Sequence, residues 1–163
     1  MEPKSAGHGT AQTSKADSKA TITGLTAGTT VLTLDGEIPV EFLSPGDRVI
    51  TRDSGMAVLK QIRIRRVRTR AVSVAASSLG HDRPAADLVL PQGQQVLVRD
   101  WRAQALFGKQ QAMVPVSRLV DGQYVRHIGE VEMRVFELRF ERDHVIYAGG
   151  MEVAAPVPAS EPA

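Results

Sequence analysis

Residues 24–55 read GLTAGTTVLTLDGEIPVEFLSPGDRVITRDSG, and this stretch decides the fold. Thr29 to Thr33 is a run of β-formers that closes on Asp35-Gly36, a dipeptide suited to a tight reversal between strands. Val40 to Leu43 predicts a short helical turn. Ser44-Pro45-Gly46-Asp47 is turn chemistry, because proline presets one backbone angle and glycine accepts the next. Val49 to Thr51 opens another strand, and Asp53-Ser54-Gly55 marks the turn after it. Within thirty-two residues the chain reverses three times with almost no helix, which is the pattern of an all-β domain.

The same texture continues outward. Further strands are expected at Leu88-Val89-Leu90 and Val96-Leu97-Val98, flanking the polar knot Pro91-Gln92-Gly93-Gln94-Gln95. Arg102 to Phe107 and Val116 to Val120 predict the remaining helical turns. Gly149-Gly150 reads as a turn rather than a phosphate loop, since no helix signal follows it. Two long runs, VLKQIRIRRVRTRAVSV (58–74) and EVEMRVFELRFE (130–141), slip in their two-residue alternation. The first passes from Ile62 and Ile64 to Val67. The second passes from Val131, Met133 and Val135 to Phe136, Leu138 and Phe140. Such slips predict a bulge or sharp coil near Val135-Phe136, in long strands that serve two layers.

The whole chain has 163 residues, the size of one domain with tails. From Glu2 to Thr21 there is no Val, Ile, Leu, Phe, Tyr or Trp, so residues 1–21 are expected to form a disordered tail. The domain is expected over 22–155, with a disordered Pro/Ala tail over 156–163. Cysteine is absent, which excludes a thiolate nucleophile and a cysteine-based zinc site. The formal charge is +2, from 20 basic and 18 acidic residues, not the balance of a dedicated nucleic-acid binder. No apolar run is long enough to span a membrane and no signal follows Met1. A cytoplasmic location is therefore the default expectation, with export through a C-terminal signal as the alternative.

The motifs, taken in order, resemble those of the bacterial Hint (hedgehog/intein) domains. That family shows C-F-x-x-G-T-x-I-x-T-x-x-G followed by V-E-x-L-x-x-G-D-x-V-x-T-x-D. Here Gly28-Thr29, Val31, Thr33, Gly36, Val40-Glu41, Leu43, Gly46-Asp47, Val49, Thr51 and Asp53 fall into place. VLVRDWRAQALFG (96–108) and VPVSRLVDGQYVR (114–126) resemble the family's middle, and FELRFERDHVIYAGGMEVA (136–154) its closing strands. The resemblance spans about Thr23 to Ala155. It implies an all-β, horseshoe-shaped fold with long coiled strands and pseudo-two-fold halves.

Activity does not carry over with the fold. Active members open on a Cys or Ser that attacks the preceding carbonyl, and the matching position here is Gly24. They also use a Thr/Ser-x-x-His element, whose hydroxyl and imidazole positions match Pro91 and Gln94. A third station commonly reading D-R-H-D or D-R-H-E is Glu141-Arg142-Asp143-His144 here, so the acid and the imidazole have exchanged places. A one-residue shift on a strand turns a side chain to the opposite face, so His144 is expected to leave the old site. Losing a positioned acid-base group costs about 10²–10⁴ in rate, and without a nucleophile the covalent route is absent.

Three readings follow. The first is a catalytically degenerate Hint domain acting as a protein- or peptide-binding or scaffold module. The second is residual self-cleavage through a threonine nucleophile, Thr23 or Thr26, with little chain upstream of Gly24 to release. The third is a basic nucleic-acid-binding module through Lys60, Arg63, Arg65, Arg66, Arg68 and Arg70, which predicts a salt slope of about −0.9 per phosphate neutralised on duplex DNA. Aromatic residues make up 4% of the chain, too few for a stacking platform, which disfavours nucleic acid as the partner. The plainer account of the basic run is an edge strand whose arginines pair with Asp53, Asp82 and Glu132. His8, His81, His127 and His144 match no metal-ligand spacing, so no metal and no cofactor is expected. They are read as surface and loop residues, and Trp101 as a core anchor.

Overall fold

The computed structural model describes residues 22–157. The tail expected over 1–21, and residues 158–163 of the tail expected over 156–163, lie outside the described residues. The opening stretch folds as its turn chemistry dictates. Strand β1 (Thr30–Thr33) turns at Asp35 into β2 (Gly36–Pro39), and Val40–Phe42 forms a single 3-10 turn. The Ser44–Asp47 turn leads to β3 (Arg48–Thr51), which returns through Asp53–Ser54 as β4 (Gly55–Val58). Two long strands follow in the chain: β5 (Gln61–Val74) and, much later, β9 (Val125–Arg139). Between them lie β6 (Leu88–Pro91), β7 (Gln95–Val98) and β8 (Ala112–Pro115). The hairpin β10 (His144–Ala148) and β11 (Met151–Ala155) closes the fold through the Gly149-Gly150 turn.

Helix is as sparse as the sequence predicts. The helix α1 (Trp101–Phe107) starts at Asp100, whose carboxylate accepts from the Arg102 amide, and stops at Gly108 in the left-handed region. A 3-10 turn covers Val116–Leu119.

The strands form two open sheets. The larger has eight strands in the order β2-β1-β3-β10-β11-β7-β8, with β4 on the far side of β3. The smaller has three, β6-β5-β9. Strand β11 is therefore central, flanked by β10 and β7, and this puts Val153 opposite Val96. The core between the sheets is aliphatic, with Val31, Val49, Val72, Leu90, Val96 and Ile146 almost fully buried.

Three expectations need correction. No bulge occurs at Val135-Phe136: β5 and β9 pair in unbroken register from Gln61/Arg139 to Ala71/Gly129. The register shift lies between Ala71 and Val72, where β9 carries the extra residue Ile128. At Phe136 a reciprocal pair of backbone hydrogen bonds joins β9 to Leu25 on the edge away from β5. Trp101 is no core anchor, being 67% exposed at the first turn of α1 with the Arg102 guanidinium over its ring. The buried positions of α1 are Arg102 and Ala103, which leaves Trp101 on the outward side. Finally, the β5 arginines do not pair with Asp53, Asp82 or Glu132. Their carboxylates are Glu137 and, more loosely, Glu130, which the antiparallel register brings alongside.

Candidate functional site

The polar knot after β6 is a tight turn: the Gln94 amide donates to the Pro91 carbonyl at 3.0 Å. The backbone of Ile22 passes directly over it. A Cβ on Gly93 would lie 2.9 Å from the Ile22 carbonyl oxygen, so only glycine fits under the crossing chain. The crossing brings Gly24 onto Gln94, seventy residues away in sequence, and the Gly24 N–H donates to Gln94 Oε1 at 2.8 Å. The other end of the same side chain is also spent. Gln94 Nε2 donates to the carbonyls of Gln95 at 3.1 Å and Ala154 at 2.9 Å. The side chain is 2% exposed, and a buried amide with acceptor and donor both engaged is a structural clasp.

Gln94 is the residue that the resemblance sets at an imidazole position. It accepts from the amide nitrogen of the Thr23–Gly24 peptide bond, as a neutral ring nitrogen could, but carries no proton to deliver near neutrality. Replacing it tests the clasp. Gln94→Glu puts an acceptor-only carboxylate against two carbonyls, and should lower stability by about 3 kcal/mol near neutral pH. Burial raises the new carboxyl's pKa, so the loss should shrink as pH falls and the acid becomes neutral. Urea titrations of both proteins across the acid range read this directly.

Gly24 itself is closed off. Its φ is +135°, a conformation that L side chains rarely adopt, and a Cβ there would sit 2.9 Å from Val135 Cβ and 3.2 Å from the Phe136 oxygen. Thr26 offers no replacement hydroxyl, because its Oγ1 donates to the Val89 carbonyl at 3.0 Å.

Gly24 and Gln94 form part of the wall of a cavity of about 730 Å³. Leu25, Phe136, Ile146 and Val153 make it largely apolar, while Arg63, Arg65, Glu137 and Arg139 bring charge to it. Glu137 stands among these three arginines. Glu137 is 3.0 Å from Arg65, 3.6 Å from Arg139 and 4.0 Å from Arg63. Charged groups thus rim an apolar cleft. Glu137 and Arg139 escaped the sequence reading, since only the β5–β9 register places them beside Arg63 and Arg65.

Pro91 and the Asp143-His144 pair stand elsewhere. Pro91 ends β6 opposite Ala71. Asp143 Oδ1 accepts from the Val157 amide at 2.7 Å, tying down the segment after β11. His144 is not the surface residue expected but is 6% exposed. Its Nδ1 lies 2.8 Å from Asp53 Oδ2, and its ring meets Phe140 edge-on. It borders a separate pocket of about 410 Å³ with Ser54, Lys60 and Arg142. Burial alone would raise the Asp53 carboxyl, but the Val145 amide and the His144 ring outweigh it and hold it below the usual range. Ser54 Oγ lies 3.4 Å from the same Nδ1. A proton relay needs the hydroxyl and the acid on opposite ring nitrogens, so this cluster is no triad.

The family model of the Hint domain matches residues 23–159. Among solved structures, a bacterial intein-like domain from Clostridium thermocellum is similar at 15% identity and a TM-score of 0.56, covering 83% of this chain and 99% of its own. A DnaB intein from Synechocystis sp. PCC 6803 is similar at 9% identity and a TM-score of 0.57, over 83% and 100% of the two chains. These likenesses concern the fold. No curated protein matches the sequence.

Proposed function

Since the chain belongs to the Hint domain family, we propose that it keeps the family's architecture without autoprocessing and works as a protein- or peptide-binding module. The observation that carries this is the state of Gly24. The position that would hold a nucleophile has no side chain, its backbone adopts φ +135°, and Val135 occupies the space a side chain would need. A nucleophile must reach the preceding carbonyl and be activated by a neighbouring base. Here the neighbouring group is a glutamine locked by three hydrogen bonds. Both halves of the chemistry are missing at one place, and what remains is a preformed apolar cleft with a charged rim. Clefts of this size with a few converging polar groups bind ligands.

The test is the intact mass of the purified chain held for days between about pH 6 and pH 9, with and without hydroxylamine or thiol. A single unchanged mass is expected. Fragments ending at Thr23, or beginning at Gly24, would show acyl-shift chemistry without its usual residues and overturn the proposal.

A further inference from the structure

Strands β5 and β9 run together as a ribbon, while the third strand of their sheet, β6, pairs only with Ala71 to Val74. From Gln61 to Thr69, β5 therefore has one laddered edge and, among the described residues, one unpaired edge. Such an edge presents a row of free backbone donors and acceptors. This one carries Arg63, Arg65, Arg66 and Arg68.

The charges on it are poorly compensated. Residues directly opposite on antiparallel strands share a face, and like charges so placed destabilise each other. Arg66 stands opposite Arg134. Arg134 lies over the Phe136 ring, whereas no carboxylate among the described residues pairs with Arg66. Arg68 reaches Glu130 only at 4.0 Å, with both side chains largely exposed. On the same face Ile64 is 55% exposed. Backbone groups, an apolar side chain and surplus cations thus share one open edge.

We infer that this edge takes up an acidic polypeptide segment by strand addition. The inference rests on reading the domain as a binding module and names the surface and the partner chemistry. Main-chain pairing would provide the affinity and carboxylates beside Arg66 and Arg68 the selectivity, the usual division in this recognition mode. A second copy of the chain does not suit, because pairing two such edges sets arginines against arginines. A phosphate backbone does not suit either. It offers acceptors only and leaves the β5 carbonyls unpaired.

Fluorescence anisotropy of the full chain with a labelled alternating Glu-Val peptide, long enough to span Gln61 to Thr69, tests this. The peptide should bind, and its Lys-Val counterpart should not. Arg66→Glu, which places a carboxylate opposite Arg134 and so should fold, is expected to weaken binding about tenfold or more. Arg68→Gln provides a milder second variant with a change in the same direction. Methylating alternate backbone nitrogens on the pairing edge of the peptide should abolish binding. The inference is overturned if the Glu-Val peptide does not bind, or if it ignores both substitutions. It is equally overturned if the methylated peptide or a single-stranded oligonucleotide binds as well, since the edge would then be a plain polyanion patch. The mass measurement reports separately on autoprocessing: an intact chain that ignores the peptide removes the strand-addition inference alone.

Discussion

Glu152→Ala is expected to lower the stability of the protein by about 3 kcal/mol, the low end of the range for breaking a buried ion pair, because two of its partners keep contact with water. Glu152 sits in the central strand β11 at 2% exposure. Three arginines from separate parts of the chain converge on it: Arg99 at 2.8 Å, Arg83 at 3.0 Å and Arg52 at 3.1 Å. Arg83 also donates to the Leu97 carbonyl at 3.2 Å, and Arg52 to Gln111 at 3.1 Å. One carboxylate thus fastens the turn after β3, the segment before β6 and the end of β7 to the middle of the larger sheet. Removing it leaves three guanidinium groups facing one another.

The pH dependence follows with a definite sign. Burial by itself would raise the Glu152 carboxyl, but Arg99 and Arg83 outweigh it and hold it below the ordinary 4.5. A depressed carboxylate contributes stability that is fully present above its unfolded value, and this is lost as pH falls through the folded one. Urea titrations at a series of pH values should show the native protein weakening below about pH 4.5 and the Glu152→Ala protein weakening less steeply there. Some slope should survive in the variant, because Asp53 and Asp121 are also held below their usual range. Equal slopes for both proteins would mean that Glu152 is not ionised against its arginines.

The second large effect concerns placing at 24 and 94 the residue types that the resemblance expects of an active member. Gly24→Cys combined with Gln94→His is expected to damage folding rather than revive cleavage. A side chain at φ +135° costs about 1–3 kcal/mol in backbone strain, and overpacking against Val135 adds about as much. A neutral imidazole at 94 that accepts from Gly24 has one donor left. It could serve only one of the Gln95 and Ala154 carbonyls, leaving a buried acceptor unpaired at about 1–3 kcal/mol. Thermal unfolding should show the double variant several degrees or more below the native chain, with its mass unchanged. Adding Val135→Ala should recover part of the loss by opening the space beside residue 24. Thiol-dependent cleavage in the double variant alone would show the site to be only one step from activity.

Much of this was legible before any coordinate. Turn chemistry at Asp35-Gly36, Ser44 to Asp47 and Gly149-Gly150 acts over a few residues, so the all-β class and strands such as Thr30–Thr33, Leu88–Pro91 and Gln95–Val98 follow from short windows of sequence. The matching of Gly24 to a nucleophile position and of Gln94 to an imidazole position comes from the resemblance alone and enters the proposed function as such. The face change along EVEMRVFELRFE was visible too, but its cause was not. Alternation reports which side chains are buried, not what lies alongside them, and here Leu25, more than a hundred residues away, bridges to Phe136.

What only the tertiary structure decided depends on chain crossings and register between distant strands. Ile22 passing over Gly93 turns Gln94 from a vacancy into a clasp on Gly24. The β5–β9 register gathers Arg63, Arg65 and Arg139 around Glu137 and sets Arg66 against Arg134. The meeting of the turn after β3 with β10 buries His144 against Asp53. Local propensity is silent on such meetings, because they are selected by the burial of the aliphatic core as a whole and not by any one segment.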